Sequence, residues 1–250
     1  MTALAAAGLM AGSIQVPTAT EYRAGTVVPV TEEYAGGIRD DRARFREIFC
    51  GLLARDGGAH RGSECGHWLW QLADEPAAAA VAEGLPSRPD FRAFVITGAF
   101  SDCFDEYALA YWSAVRVLSA RGYRVEVLPV SGRSSVEHNG RAIAAAFVER
   151  GVRPQDRVVL VGYSKGALDA LEFVATQREA AAPVVAVVSV AGPLLGSPAA
   201  AAGKGVYSLF ADAFGERCDP GDVGVLESLD PAVRADWFAT HPLPADVAFF

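Results

Sequence analysis

Residues Gly162-Tyr163-Ser164-Lys165-Gly166 set a hydroxyl between two glycines at the spacing G-x-S-x-G. The apolar run Val158-Val159-Leu160-Val161 precedes them, and Ala167, Leu168, Leu171 and Val174 follow at helical period. A serine hydroxyl so placed can attack an acyl carbon if a base takes its proton and backbone amides stabilise the oxyanion that forms. The spacing follows from sterics. A strand that becomes a helix within two residues strains the residue at the bend, and side chains two positions to either side would strike neighbouring backbone, so Gly162 and Gly166 are wanted there. The Lys165 amide, at the amino end of the helix, then points to where an oxyanion forms. A random chain of this length and composition holds the bare pattern about one time in seven, so its strand-and-helix context carries the reading.

The elements that position this turn begin after Asp90, where short β-branched runs alternate with longer helical segments, the signature of a parallel sheet built from βαβ units. Strands are expected at Phe91 to Thr97, Tyr123 to Pro129, Arg157 to Gly162, Val184 to Val190 and Asp246 to Phe250. Helices are expected at about Glu106 to Arg121, at about Ser135 to Arg150 and directly after Ser164. Ser134 and Glu137 give the second helix an S-x-x-E capping box. The first strand runs into Thr97-Gly98-Ala99-Phe100, a turn that is either a plain strand ending or the loop that supplies the second oxyanion donor. Before the sheet, residues 1–36 read as a tail or signal-like arm, and residues 37–90 as a helical extension. Within that extension Phe45, Ile48, Phe49, Leu52 and Leu53 form one buried stripe, Trp68, Leu69 and Leu72 a second short helix, and Pro76 to Pro89 an Ala-rich one.

From Phe91 to Phe250 the chain resembles the bacterial triacylglycerol lipase family of the α/β-hydrolase fold. The marks are the loop Thr97-Gly98-Ala99-Phe100, Tyr111-Trp112 followed by Leu118 and Tyr123-Arg124-Val125, and the Ser164 turn. Further marks are Ser189-Val190-Ala191-Gly192-Pro193-Leu194-Leu195-Gly196-Ser197-Pro198 and Leu226-Glu227-Ser228-Leu229 leading to Trp237-Phe238 and His241-Pro242. The resemblance implies a mostly parallel sheet flanked by helices, Ser164 as nucleophile, Ala99 and Lys165 as the oxyanion hole, and a lid at about 199–240. Thr97 stands where the family usually has His. The family also places its acid and His after the strand that begins here at Asp246. The run Val247-Ala248-Phe249-Phe250 stops without a turn or polar tail, so the reading expects a C-terminally truncated sequence with both groups beyond residue 250.

A base is nevertheless sought among four histidines. His60 and His67 read as surface or packing residues, and His138 sits in the first turn of the second helix. His241 alone follows Ser164 and fits the order Ser, acid, His, with Asp219, Asp222, Asp230 or Asp236 before it. It precedes the last strand, however, where the fold expects the His after it.

The net charge of -8 argues against a nucleic-acid partner, which needs clustered Lys and Arg. No apolar run is long enough to span a bilayer. Ala3 to Gly12 resembles a signal-peptide core without a preceding Lys or Arg, and export is favoured over a cytoplasmic location. The cysteines, Cys50, Cys65, Cys103 and Cys218, are too scattered for a zinc site. Cys50 and Cys65 form either a disulfide or buried thiols. No metal or cofactor is expected, calcium and oligomeric state stay open, and the partner is a small-molecule ester or lipid. The sequence thus reads as a serine esterase or lipase. The alternatives are a non-catalytic hydrolase-like binding domain and a serine acyltransferase or thioesterase.

Overall fold

The computed structural model describes residues 42–55, 65–69, 90–103, 110–198, 200 and 219–250. These fall into two compact units, one holding residues 42–55 and 65–69 and the other the described residues from 90 onward.

In the first unit, helix α1 (Arg42–Arg55) and the single turn α2 (Cys65–Trp68) are joined by a Cys50–Cys65 disulfide with a Cα–Cα distance of 5.3 Å. The Arg46 guanidinium donates to the Leu69 carbonyl at 2.7 Å. The expected buried stripe is corrected at Phe45 and Ile48, which are 55% and 43% exposed, and Phe45 instead stacks on Phe49 at 6.0 Å; the Leu52 and Leu53 side chains lie outside the described residues. Helical periodicity shows that one face is apolar, and a partner layer must then cover it. The Pro76 to Pro89 helix lies outside the described residues.

The second unit is built on a parallel sheet of β1 (Arg92–Ile96), β2 (Arg124–Leu128), β3 (Val158–Tyr163), β4 (Val184–Val190) and β5 (Ala248–Phe249). Its strand order is β2-β1-β3-β4-β5. All five lie within the expected runs or one residue beyond them, because stretches such as Val184-Val185-Ala186-Val187-Val188 suit a strand covered on both faces. Helices α3 (Ala110–Ala120), α4 (Val136–Glu149) and α5 (Lys165–Thr176) connect the strands, and α6 (Val225–Ser228) and α7 (Pro231–Thr240) precede β5.

The core forms where α4 and α5 meet the central strands. The Phe94 ring lies 5.3 Å from Phe147, and Phe147 lies 4.9 Å from Phe173. Phe94, Ile96, Ile143, Leu160, Leu168 and Phe173 are fully buried around them. Trp237 and Phe238 of α7 join the same cluster. One local expectation shifts by a residue. The N-cap of α4 is Ser135, whose hydroxyl accepts from the His138 amide at 3.1 Å, whereas Ser134 is fully buried and its hydroxyl donates to the Ser131 hydroxyl at 2.8 Å. The capping-box spacing pointed to the right turn but to the wrong serine, because the preceding loop claims Ser134.

Truncating the core should therefore cost far more than truncating the surface. Leu160→Ala, in the central strand, is expected to lower unfolding free energy by about 2–5 kcal/mol. Val148→Ala, whose parent side chain is 78% exposed, should stay within about 0.5 kcal/mol. Urea denaturation of both variants checks the contrast.

Candidate functional site

Ser164 lies between β3 and α5 with φ 53° and ψ −125°, a backbone conformation of the kind that costs on the order of 1–3 kcal/mol. It is held from two sides. Its amide donates to the Val190 carbonyl at 2.9 Å, and its own carbonyl accepts from the Ala167 amide at 3.0 Å. The bend requires the flanking glycines: a Cβ at position 162 would lie 2.3 Å from the Ala167 Cα, and one at position 166 would lie 2.3 Å from the Ile96 carbonyl oxygen. The helix can therefore start against the end of β1 only if both side chains are absent.

The sheet order places this bend where an open α/β sheet forms its crevice. After β1 the chain steps outward to β2 and returns to β3, so the order reverses between β1 and β3, and the crevice opens at their carboxyl ends. Register pairs Ile96 with Gly162, which brings the next residues of β1, Thr97-Gly98-Ala99, alongside Tyr163 and Ser164. A Cβ on Gly98 would lie 3.0 Å from the Ser164 Cβ. Ser164 is half-buried, and its side chain caps no amide of α5. As first residue of that helix, Lys165 has an amide with no intrahelical acceptor. Among the described residues the Ala99 amide donates to no backbone carbonyl. Tyr163 and Tyr111, with ring centroids 6.1 Å apart, flank the bend, and burial pushes the Tyr111 phenol up to about 12.

With this geometry, the similarity to solved structures becomes decisive. A carboxyl esterase of metagenomic origin shares 32% identity over 92% of this chain and 70% of its own, at a TM-score of 0.70. The chain belongs to the carboxyl esterase family of the α/β-hydrolase fold. The mature form of a Bacillus licheniformis lipase matches 69% of this chain and 68% of its own at 23% identity and a TM-score of 0.48. No protein-family model and no curated protein matches the sequence.

Within this α/β-hydrolase the structure does not bring His241 to Ser164. His241 closes α7, with its ring stacked on Trp237 at 5.0 Å and its Nδ1 3.0 Å from the Trp237 carbonyl. The Trp237 indole donates to Glu172 at 2.6 Å, and Arg178 donates to the Pro242 carbonyl at 2.9 Å. Glu172 is eight residues past Ser164, and Arg178 is farther still. At the helical rise per residue Glu172 lies about 12 Å along α5 from the nucleophile bend, and His241 is held at that level of the helix. Chain order alone suited His241, but α7 packs along the far part of α5.

The acidic residues before it serve the fold. The Asp222 carboxylate accepts from the Ser135 amide at 2.7 Å, the Ser135 hydroxyl at 2.5 Å and the Gly224 amide at 3.1 Å. Partial burial raises its pKa, and these hydrogen bonds outweigh that and hold it down at about 2. Asp230 caps α7 by accepting from the Ala232 amide at 2.8 Å, the Asp219 carboxylate accepts from the Gly221 amide at 3.0 Å, and Asp236 is exposed. His138 is half-buried beside the Ser135 cap. His60 and the His67 side chain lie outside the described residues, as do residues 199 and 201–218 of the expected lid.

Sequence reasoning assigned Lys165 only a backbone role and missed its side chain. Lys165 is 1% exposed, and its ammonium meets Asp169 at 2.7 Å. Asp169 also accepts from the Asn139 amide nitrogen at 3.0 Å. Burial pushes the Asp169 carboxyl up to about 6, against the pull of Lys165 and Asn139. The i, i+4 spacing of Lys165 and Asp169 was the available signal. Farther along α5, the buried Arg234 guanidinium lies 4.5 Å from the Trp237 ring centre and donates through Nε to the Leu194 carbonyl at 3.1 Å.

The ordinary Asp169 pKa of 3.8 becomes about 6 on folding, so the native state holds the proton more tightly, and the stability this adds at low pH disappears as pH rises through that interval. The unfolding free energy of the parent relative to Asp169→Asn should fall as pH rises from about 4 to about 6. Denaturant titrations of both proteins at several pH values measure it, and a flat difference contradicts it.

Proposed function

We propose that this protein hydrolyses carboxylic esters through an acyl-enzyme on Ser164. The observation that carries the reading is the strained, half-buried Ser164 at the carboxyl end of β3, beside the Gly98 loop. In this scheme the Ser164 hydroxyl loses its proton to a base and attacks the ester carbonyl carbon. The negative oxygen of the tetrahedral intermediate accepts hydrogen bonds from the Ala99 and Lys165 amides, the alcohol leaves, and water then releases the acid. The positive end of the α5 dipole supports the same charge.

Membership of the carboxyl esterase family supports an ester as substrate. An apolar acyl group fits the Tyr111 and Tyr163 rings beside the bend. The acid and base of this scheme are assigned to no described residue. The Cys50–Cys65 disulfide supports an oxidising, extracytoplasmic setting. Among the described residues no helix is long and apolar enough to cross a membrane.

A fluorophosphonate probe tests the nucleophile directly. Full-length protein should be labelled and Ser164→Ala should not be. Equal labelling of the two would place the nucleophile at another residue.

A further inference from the structure

The proposed oxyanion donors come from two separate segments. Lys165 begins α5, while Ala99 lies on the loop after β1, and a stabilising pocket requires their amides to stay at a set separation. A mostly buried chain of polar groups joins the two segments. From the Lys165 ammonium it passes to Asp169 at 2.7 Å, and from Asp169 to the Asn139 amide nitrogen at 3.0 Å. That nitrogen also donates to the Ser131 carbonyl at 2.9 Å. The next residue, Gly132, grips the Ala99 loop twice: its carbonyl accepts from the Phe100 amide at 3.1 Å, and its amide donates to Asp102 at 3.0 Å.

We infer that Lys165, Asp169 and Asn139 are positioning residues, which lock the helix that starts at the nucleophile to the loop that carries Ala99. The inference rests on the hydrolase reading of Ser164 given above. Two features argue that the chain does more than fill space. Asp169 and Asn139 are fully buried and Lys165 is 1% exposed, where a charged pair gives little net stability over apolar residues of the same volume. Asn139 also uses both amide hydrogens on Asp169 and Ser131 while its own Oδ1 has no hydrogen-bond partner. An amide turned the other way would set its oxygen against a carboxylate and a carbonyl, so the unpaired oxygen accompanies a bridge between α5 and the loop.

The test compares an activated oxo ester with its thiono analogue on full-length protein. Sulfur is a larger and weaker acceptor than oxygen, so a pair of well-placed amides favours the oxo ester. Asn139→Leu removes both donors of the bridge. It should lower kcat on the oxo ester by about 10- to 100-fold with KM changed less than about threefold, and should reduce the oxo-over-thiono preference about tenfold. Lys165→Met, which keeps the amide, and Asn139→Ser are milder variants expected to move the preference in the same direction. Loss of thermal stability with the preference unchanged, or equal loss on both esters, overturns the inference. Ser164→Ala separates the two levels: if it retains parental hydrolysis, the nucleophile reading fails; if it is inactive while the bridge variants keep the parental preference, only the positioning role fails.

Discussion

The bend at Ser164 is the constraint around which the rest of this fold is arranged. A residue at φ 53° and ψ −125° does not persist in an isolated strand-to-helix junction, and the surrounding structure over-determines it. From β4, the Val190 carbonyl holds the Ser164 amide, while α5 holds its carbonyl through the Ala167 amide. Neither contact would form if Gly162 or Gly166 carried a side chain, since the space belongs to Ala167 and to the end of β1. The sheet is thus more than a scaffold beneath the bend. Its strand order and register bring the Gly98 loop to within van der Waals distance of the same residue.

Much of this was legible in the sequence. The strands are short and rich in Val, with helical segments between them, so β4 is found at its expected limits and β3 overruns them by one residue into the bend. Gly162 and Gly166 could be read because backbone sterics at a sharp turn leave no other choice. Less legible was anything that depends on what covers a surface. Phe45 and Ile48 were expected to be buried because they share a helical face, yet they are exposed. His241 satisfied chain order, which says nothing about where along α5 the α7 helix packs.

The buried charges are the instructive omission. Lys165 and Asp169 would normally be assigned to the solvent face of a helix, yet α5 is buried from Lys165 through Val174. Charged groups can lie there only because each finds a partner, and the cost of burial is visible in the upward push on Asp169. Arg234 lies farther from the bend, with aromatic faces and one carbonyl around its guanidinium while its two terminal nitrogens have no hydrogen-bond partner. The same helix therefore has an apolar surface that builds the core and a polar row that binds neighbouring segments to it.

A crystal structure of the full-length protein after reaction with a phosphonate ester tests most directly whether Ser164 is the nucleophile. Phosphorus is expected on the Ser164 Oγ, with the phosphonyl oxygen within hydrogen-bond distance of the Ala99 and Lys165 amides. Phosphorus on another side chain, or a phosphonyl oxygen turned away from both amides, would contradict it.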